Sequence, residues 1–277
     1  MTSTFVPVPG GRLKVVHEGS SQDPPIVLLH AGIANLGSWD ELVPLLTEAG
    51  YRVVRYDARG FGGSTTRDVE FADRADVMAV LDALGIDRAV LVGNSRGGRI
   101  AFDTAIEFPD RIVAVVGVGA GLGGYEGEST AEEIALFDEM DALETADEPD
   151  PQAIADIDLR VWVDGPGQPD TRVAAAIRDR VRAMDMPNYL PGHVSGQSIP
   201  LTPPAADRLA DLRCPVLAIA GAVDVSEVAQ TARHLESAAP DARAVILPDV
   251  AHMIGMEVPD ELAALIVSFL APLPRWS

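Results

Sequence analysis

The sequence predicts an α/β fold: a mostly parallel central sheet with helices on both faces and a helical cap inserted between two of its strands. Three observations predict it. Apolar runs of strand length recur at residues 13–16, 26–29, 51–56, 89–92, 112–116, 216–220 and 244–247. Most of them alternate with segments of helical periodicity, the pattern of parallel strands covered on both sides. One long stretch, from residue 123 to about 205, breaks the alternation with helical patterns and no convincing strand. With 277 residues and 47% hydrophobic content, the chain can build one substantial core and an appendage. The expected division is a core domain of residues 1–122 and 206–277 and a cap of residues 123–205.

Each element carries its own signal. "FVPVPGGRLKVVHEG" reads as two strands meeting at Gly10-Gly11, an antiparallel hairpin on the sheet edge. "WDELVPLLTEAG" and "FADRADVMAVLDALG" are helices closed by Gly50 and Gly85, and "PDELAALIVSFL" starts a helix with proline in its first turn. In the cap, "TAEEIALFDEMDALE" and "TRVAAAIRDRVRAM" have helical spacing, and Thr130 with Glu133 can form a capping box. Acidic residues crowd positions 126–158.

Composition narrows the function. A formal charge of −21 repels nucleic acid and anionic membrane surfaces, so neither is an expected partner. Lys14 is the sole lysine, which reads as a GC-rich coding bias. Cys214 is the sole cysteine, which excludes an internal disulfide and a multi-thiolate metal site; before "PVLAIA" it reads as a packed core thiol. No signal-like segment opens the sequence and no apolar run approaches about 18 residues, so a cytoplasmic location is expected. "GAGLGG", residues 119–124, satisfies the dinucleotide fingerprint but opens the cap instead of the first βα unit, and is read as structural.

The chemistry concentrates at "VLVGNSRGGRIAF", residues 90–102, where one serine stands among three glycines between a buried-strand pattern and a helix. A strand-to-helix turn that sharp leaves no room for side chains at Gly93 and Gly97. It presents the Ser95 hydroxyl with the next backbone N–H beside it. A serine hydroxyl needs a base to activate it and an acid to orient the base. Of the five histidines, His17 lies on the edge hairpin, His193 in the cap and His234 inside a helix. His30 follows the second strand run. His252 follows the last strand in a loop at the edge where Ser95 emerges, and is the candidate base. Asp224 closes "CPVLAIAGAVD" at the same edge; it is either the orienting acid or a cap for the helix that follows. In "VLLHAGIANLGSWD", a backbone N–H near Gly32 and Ile33 can join that of Arg96 in holding a developing oxyanion. "DARGFGGS", residues 57–64, is read as a structural turn beside the site.

Taken together these stretches resemble the α/β-hydrolase family, over residues 12–270. The family's H-G-x oxyanion segment resembles His30-Ala31-Gly32, with alanine for the usual glycine, and its D-x-R-G-x-G-x-S turn resembles residues 57–64. Its nucleophile elbow resembles residues 93–97, its G-x-x-D acid segment resembles residues 221–224, and its terminal histidine, preceded by glycine or alanine, resembles Ala251-His252. The chain order serine, acid, histidine also matches. The resemblance implies a triad of Ser95, Asp224 and His252, an oxyanion hole from the Gly32 and Arg96 N–H groups, and a pocket including Ile33, Arg96, Trp162 and Met253. No cofactor or metal is implied. The general layout is closest to enol-lactonases and small carboxylesterases, implying cleavage of a small-molecule ester or lactone. Alternatives are a carbon–carbon bond hydrolase of ring cleavage, which shares the G-N-S-x-G-G form, and a small-molecule receptor that retains the triad. The Arg96 side chain either reads a substrate carboxylate or anchors the cap through an acid between positions 126 and 164. The second is favoured, because the protein's net charge repels an anion.

Overall fold

The computed structural model describes residues 1–276. The chain opens with an antiparallel hairpin, β1 (Thr2–Val8) and β2 (Gly11–Glu18), whose register pairs Val8 with Gly11. Then follow β3 (Pro25–Leu29), α1 (Leu42–Glu48) and β4 (Arg52–Tyr56), and two short strands, β5 (Thr65–Thr66) and β6 (Glu70–Phe71). Next come α2 (Asp73–Ala83), β7 (Ala89–Asn94), α3 (Arg96–Glu107) and β8 (Ile112–Val118). The main sheet has the order β1-β2-β4-β3-β7-β8 and continues with β10 (Val216–Gly221) and β11 (Ala242–Leu247); β5 pairs β2. From β4 to β11 every pairing is parallel, and the antiparallel pairings are those of the amino-terminal hairpin.

The central strands are fully buried because both faces are covered, and alternate side chains divide between two cores. Val27 and Leu29 of β3 join one core with Val77 and Leu81 of α2 and Phe102 of α3. Ile26 and Leu28 join the other with Leu42 and Leu46 of α1 and Leu262 and Ile266 of the last helix. Cys214 is buried at the foot of β10, where desolvation pushes its thiol up to about 12.

Between β8 and β10 lie α4 (Ala131–Glu144), α5 (Pro151–Asp158), a π-helical turn (Leu159–Asp164), α6 (Ala175–Asp185) and β9 (Gln197–Ser198). The last corrects the expectation of a strand-free insertion: β9 pairs in parallel with β6, lacing the returning chain to the core beside α2. Such two-residue strands are set by tertiary approach and leave no periodic trace. Thr130 and Glu133 form the expected capping box at α4. The insertion is fastened by a third apolar cluster, in which Leu159, Val163 and Val181 meet Ala31, Ile33, Met253 and Met256. Arg172 adds polar fastening, donating to the carbonyls of Val163, Asp164 and Asp249 and to the Glu257 carboxylate at 2.6–2.8 Å. The chain ends through α7 (Ser226–Ala238), β11, α8 (Ile254–Glu257) and α9 (Pro259–Leu270).

Candidate active site

Four loops meet at the carboxyl edge of the sheet, those after β3, β7, β10 and β11, where ligands bind in open α/β sheets. Ser95, between β7 and α3, has φ 53 and ψ −117, a conformation costly for any residue but glycine. The surrounding glycines explain how the turn closes. A Cβ on Gly93 would stand 2.2 Å from the Gly97 carbonyl oxygen, and one on Gly97 would stand 2.2 Å from that of Leu29. Larger residues at either position would push the turn open and lower the serine.

His252 and Asp224 are both buried, and the imidazole Nδ1 donates to Asp224 Oδ2 at 2.7 Å. Asp224 Oδ1 accepts the N–H of Val225 at 2.8 Å, so the same carboxylate orients the histidine and holds the residue before α7. Of the two sequence readings of Asp224, the contact with the histidine is present and the helix cap is not: the cap position of α7 is Val225, and no side chain caps it. Asn94 secures the serine turn to the histidine loop: its Nδ2 donates to the Val118 carbonyl at 2.9 Å and to that of His252 at 3.1 Å. Gly119, first glycine of the "GAGLGG" stretch, leaves space for this meeting, since a Cβ there would lie 3.3 Å from His252 Nδ1. Among the described residues Ser95 and His252 make no direct hydrogen bond, but both line the same two cavities.

The first cavity, of about 270 Å³, is lined by Gly32, Ile33, Ser95, Arg96, Met140, Glu144, Asp158, Trp162, Tyr189 and His252. Gly32 and Arg96, the two expected oxyanion donors, therefore face the same space as Ser95. The loop holding Gly32 is braced by His30, whose Nδ1 donates to the Ala31 carbonyl at 2.7 Å while Nε2 accepts the Ala58 N–H at 2.9 Å. Burial lowers His30 to about 4, which keeps it neutral and able to accept. The turn of residues 57–64 is braced in turn: Asp57 accepts from Leu36 N–H at 2.8 Å and Gly63 N–H at 2.7 Å.

Two sequence expectations need correction. Met253 does not line either cavity; it is buried in the apolar cluster under the loop, because the chain turns into α8 directly after His252. The Arg96 guanidinium does not reach an acid between positions 126 and 164. Its partner is Asp73 at the start of α2, at 2.6 Å, and it lies over the Phe61 ring, 5.2 Å from the centroid. Asp73 also accepts from Ser198 Oγ at 2.5 Å, so the Arg96 guanidinium is linked to β9 of the insertion through Asp73.

Several residues of the site escape sequence reading. Glu133 Oε1 accepts the Ser226 N–H at 2.6 Å, joining α4 to the loop after Asp224. Asp158 and Asp185 form a buried carboxyl pair beside the cavity. Burial and the neighbouring Asp158 charge push Asp185 up to about 9, so that it holds a proton. Tyr189 donates to Asp158 Oδ2 at 2.7 Å. Nothing but tertiary packing singles these acids out from the many exposed ones around them. Among the described residues, no group of three or more histidine, cysteine or acidic side chains is placed to hold a metal ion.

Residues 24–259 match the model of the alpha/beta hydrolase fold family. The chain belongs to the α/β-hydrolase family. Over 122 residues it is 38% identical to epoxide hydrolase B of Mycobacterium tuberculosis, a match covering 42% of this chain and spanning only 34% of that enzyme's length. A longer match, 28% identical over 273 residues, covers 90% of this chain and 91% of the rhodomycin D methylesterase of Streptomyces peucetius. Among solved structures, the enol-lactonase of Burkholderia xenovorans is similar with a TM-score of 0.75 at 25% identity, over 97% of this chain and 100% of that one. A hydrolase of Pseudomonas aeruginosa is similar with a TM-score of 0.75 at 26% identity, over 97% and 98%. Among the described residues no helix is long and apolar enough to cross a membrane.

Proposed function

We propose that the protein is a cofactor-free serine hydrolase that cleaves a small-molecule carboxylic ester or lactone through an acyl-enzyme. The observation that carries the reading is Ser95 held at φ 53 at the mouth of a cavity shared with His252, whose other nitrogen is bonded to a buried Asp224. Ser95 Oγ attacks the carbonyl carbon as His252 Nε2 takes its proton. The tetrahedral oxyanion is held by the Gly32 and Arg96 N–H groups, each worth about 3 kcal/mol in the transition state. Collapse breaks the bond to the leaving oxygen, which receives the proton from His252. Water then adds to the acyl carbon, giving one proton to His252, and collapse returns that proton to Ser95 Oγ and frees the acid. Asp224 fixes the imidazole tautomer and stabilises its charged form. The helical insertion of residues 123–205 acts as the cap, contributing the cavity roof but none of the three reacting groups. The full-length similarity to a methylesterase and to an enol-lactonase supports an ester-type bond.

The test is labelling with a fluorophosphonate and turnover of a panel of lactones and p-nitrophenyl esters of increasing chain length. Labelling at Ser95, multiple turnovers, and loss of both in Ser95→Ala are expected. A single equivalent released per chain would indicate a receptor. Undiminished turnover in Ser95→Ala would overturn the mechanism.

A further inference from the structure

Trp162 stands between two cavities that reach both Ser95 and His252, while a further cavity of about 320 Å³, lined by Arg96, Arg99 and Gly121, reaches Ser95 alone. The Trp162 indole lies 4.7 Å from the His252 ring, centroid to centroid, and it lines both cavities that reach Ser95 and His252. On one side is a chamber of about 120 Å³ where Phe137, Val225 and Val228 leave room for a short apolar group, with Ser129 and Glu227 also in its wall. On the other is the chamber of about 270 Å³, where Trp162 and Tyr189 face Met140, with Asp158 in the wall and the more exposed Glu144 nearer solvent.

The charge of the larger chamber is unbalanced. Its only cation, Arg96, is already neutralised by Asp73 at 2.6 Å. The arginines of the insertion are committed to other acids: Arg160 to Glu139, Arg172 to Glu257, Arg178 to Asp164, Arg180 to Glu41 and Arg182 to Asp156. Among the described residues no basic side chain pairs with Glu144 or Asp158, and the donors that Asp158 meets are uncharged, the Tyr189 hydroxyl foremost at 2.7 Å. An aromatic wall with uncompensated carboxylates is the environment that attracts an organic cation, through the ring faces and through charge. A neutral or anionic group placed there would leave the acids unanswered.

We propose that the substrate is an ester carrying an organic ammonium group on one side and a short apolar group on the other, with the ammonium seated among Trp162, Tyr189, Asp158 and Glu144. This rests on the serine-hydrolase reading, because the two chambers are assigned to the two arms of a carbonyl held at Ser95. Asp158 and Glu144 are then specificity determinants, and the Trp162 indole is the partition that sets which arm enters which chamber.

The experiment uses matched probes, 2-(trimethylammonio)ethyl butanoate and its uncharged carbon isostere 3,3-dimethylbutyl butanoate, with the two corresponding alcohols. Binding of the alcohols is measured by calorimetry on the wild-type protein and on Ser95→Ala, so the result does not depend on turnover. The ammonium alcohol should bind about tenfold more tightly than its isostere, and kcat/KM should favour the ammonium ester by a similar factor. In Asp158→Asn, and independently in Glu144→Gln should the first variant fold poorly, the preference should shrink toward one. Equal or tighter binding of the neutral alcohol would overturn the proposal. Ammonium-selective binding without hydrolysis of any ester would instead overturn the serine-hydrolase reading and leave a cation site. Trp162→Ala should merge the chambers and extend the accepted acyl chain; an unchanged length limit would refute the partition.

Discussion

Glu133 and Ser226 are joined across the seam between the helical insertion and the sheet: Glu133 Oε1 accepts the Ser226 N–H at 2.6 Å while Oε2 accepts the Thr130 N–H at 2.6 Å. One carboxylate thus serves the first turns of both α4 and α7, two residues beyond Asp224. Burial works against its charge, but the hydrogen bonds outweigh burial and Glu133 is held below the usual glutamate range. A lowered acid contributes stability that is present above its ordinary value and is lost as pH falls through the folded one. Glu133→Ala should therefore cost about 1–2 kcal/mol at pH 7 and less at pH 4, read by urea unfolding at the two values. An equal cost at both would refute the role of its charge.

Arg96→Gln keeps the backbone N–H at the candidate oxyanion hole and removes the guanidinium from Asp73. Because that pair is half-shielded from water, stability should fall by about 1 kcal/mol. Anionic and neutral esters of equal size should lose kcat/KM to a similar degree. A selective loss on the anionic ester, with the melting temperature unchanged, would return Arg96 to the role of substrate-carboxylate reader.

Asp185→Asn addresses the carboxyl pair. With its folded value near 9, Asp185 must keep a proton that the unfolded chain gives up around its ordinary value of 3.8. Native stability from this group is full at acid pH and declines as pH rises toward 9. The amide cannot ionise, so the difference in Tm between variant and wild type should become more positive from pH 5 to pH 8.5. A constant difference across that range would show that no proton is held there.

His30 runs the other way with pH. Burial lowers it to about 4 from 6.5, so between those values the unfolded chain takes up a proton that the native protein refuses. Stability should decline as pH falls through that window, by about 3 kcal/mol in total from this group. Imidazole NMR titration provides the direct check. A His30 midpoint near 6.5 in the folded protein would contradict the buried, neutral brace.

Ser95→Gly should stabilise the fold by about 1–2 kcal/mol, since glycine adopts φ 53 without strain, while abolishing fluorophosphonate labelling. Denaturant unfolding reads the gain. A destabilised variant would mean that the serine conformation is not strained.

The sheet was legible because parallel strands covered on both faces are written as continuous apolar runs, and β3, β7 and β8 are such runs. The serine turn was legible because glycine is the residue that fits where backbone meets backbone, as at Gly93 and Gly97. The cavity wall was legible in part: Ile33, Arg96 and Trp162 were expected there and line it, whereas its buried acids were not foreseen. Asp158 and Asp185 look like solvated acids in an acidic segment, and only the packing of α5 and α6 turns them inward. Arg96 had many acids to choose from, and its partner, Asp73, lies outside the acidic stretch that the sequence brings forward. Met253 follows the histidine directly, yet a helical turn beginning at the next residue rotates it into the apolar cluster.

Asn94 gives the assembly one last property. Since its amide holds the carbonyl of His252 as well as that of Val118, the loop after β11 cannot drift without drawing on the end of β7. Separating the serine turn from the histidine loop therefore means breaking a buried hydrogen bond of the Asn94 amide, a cost that neither loop bears when both move together.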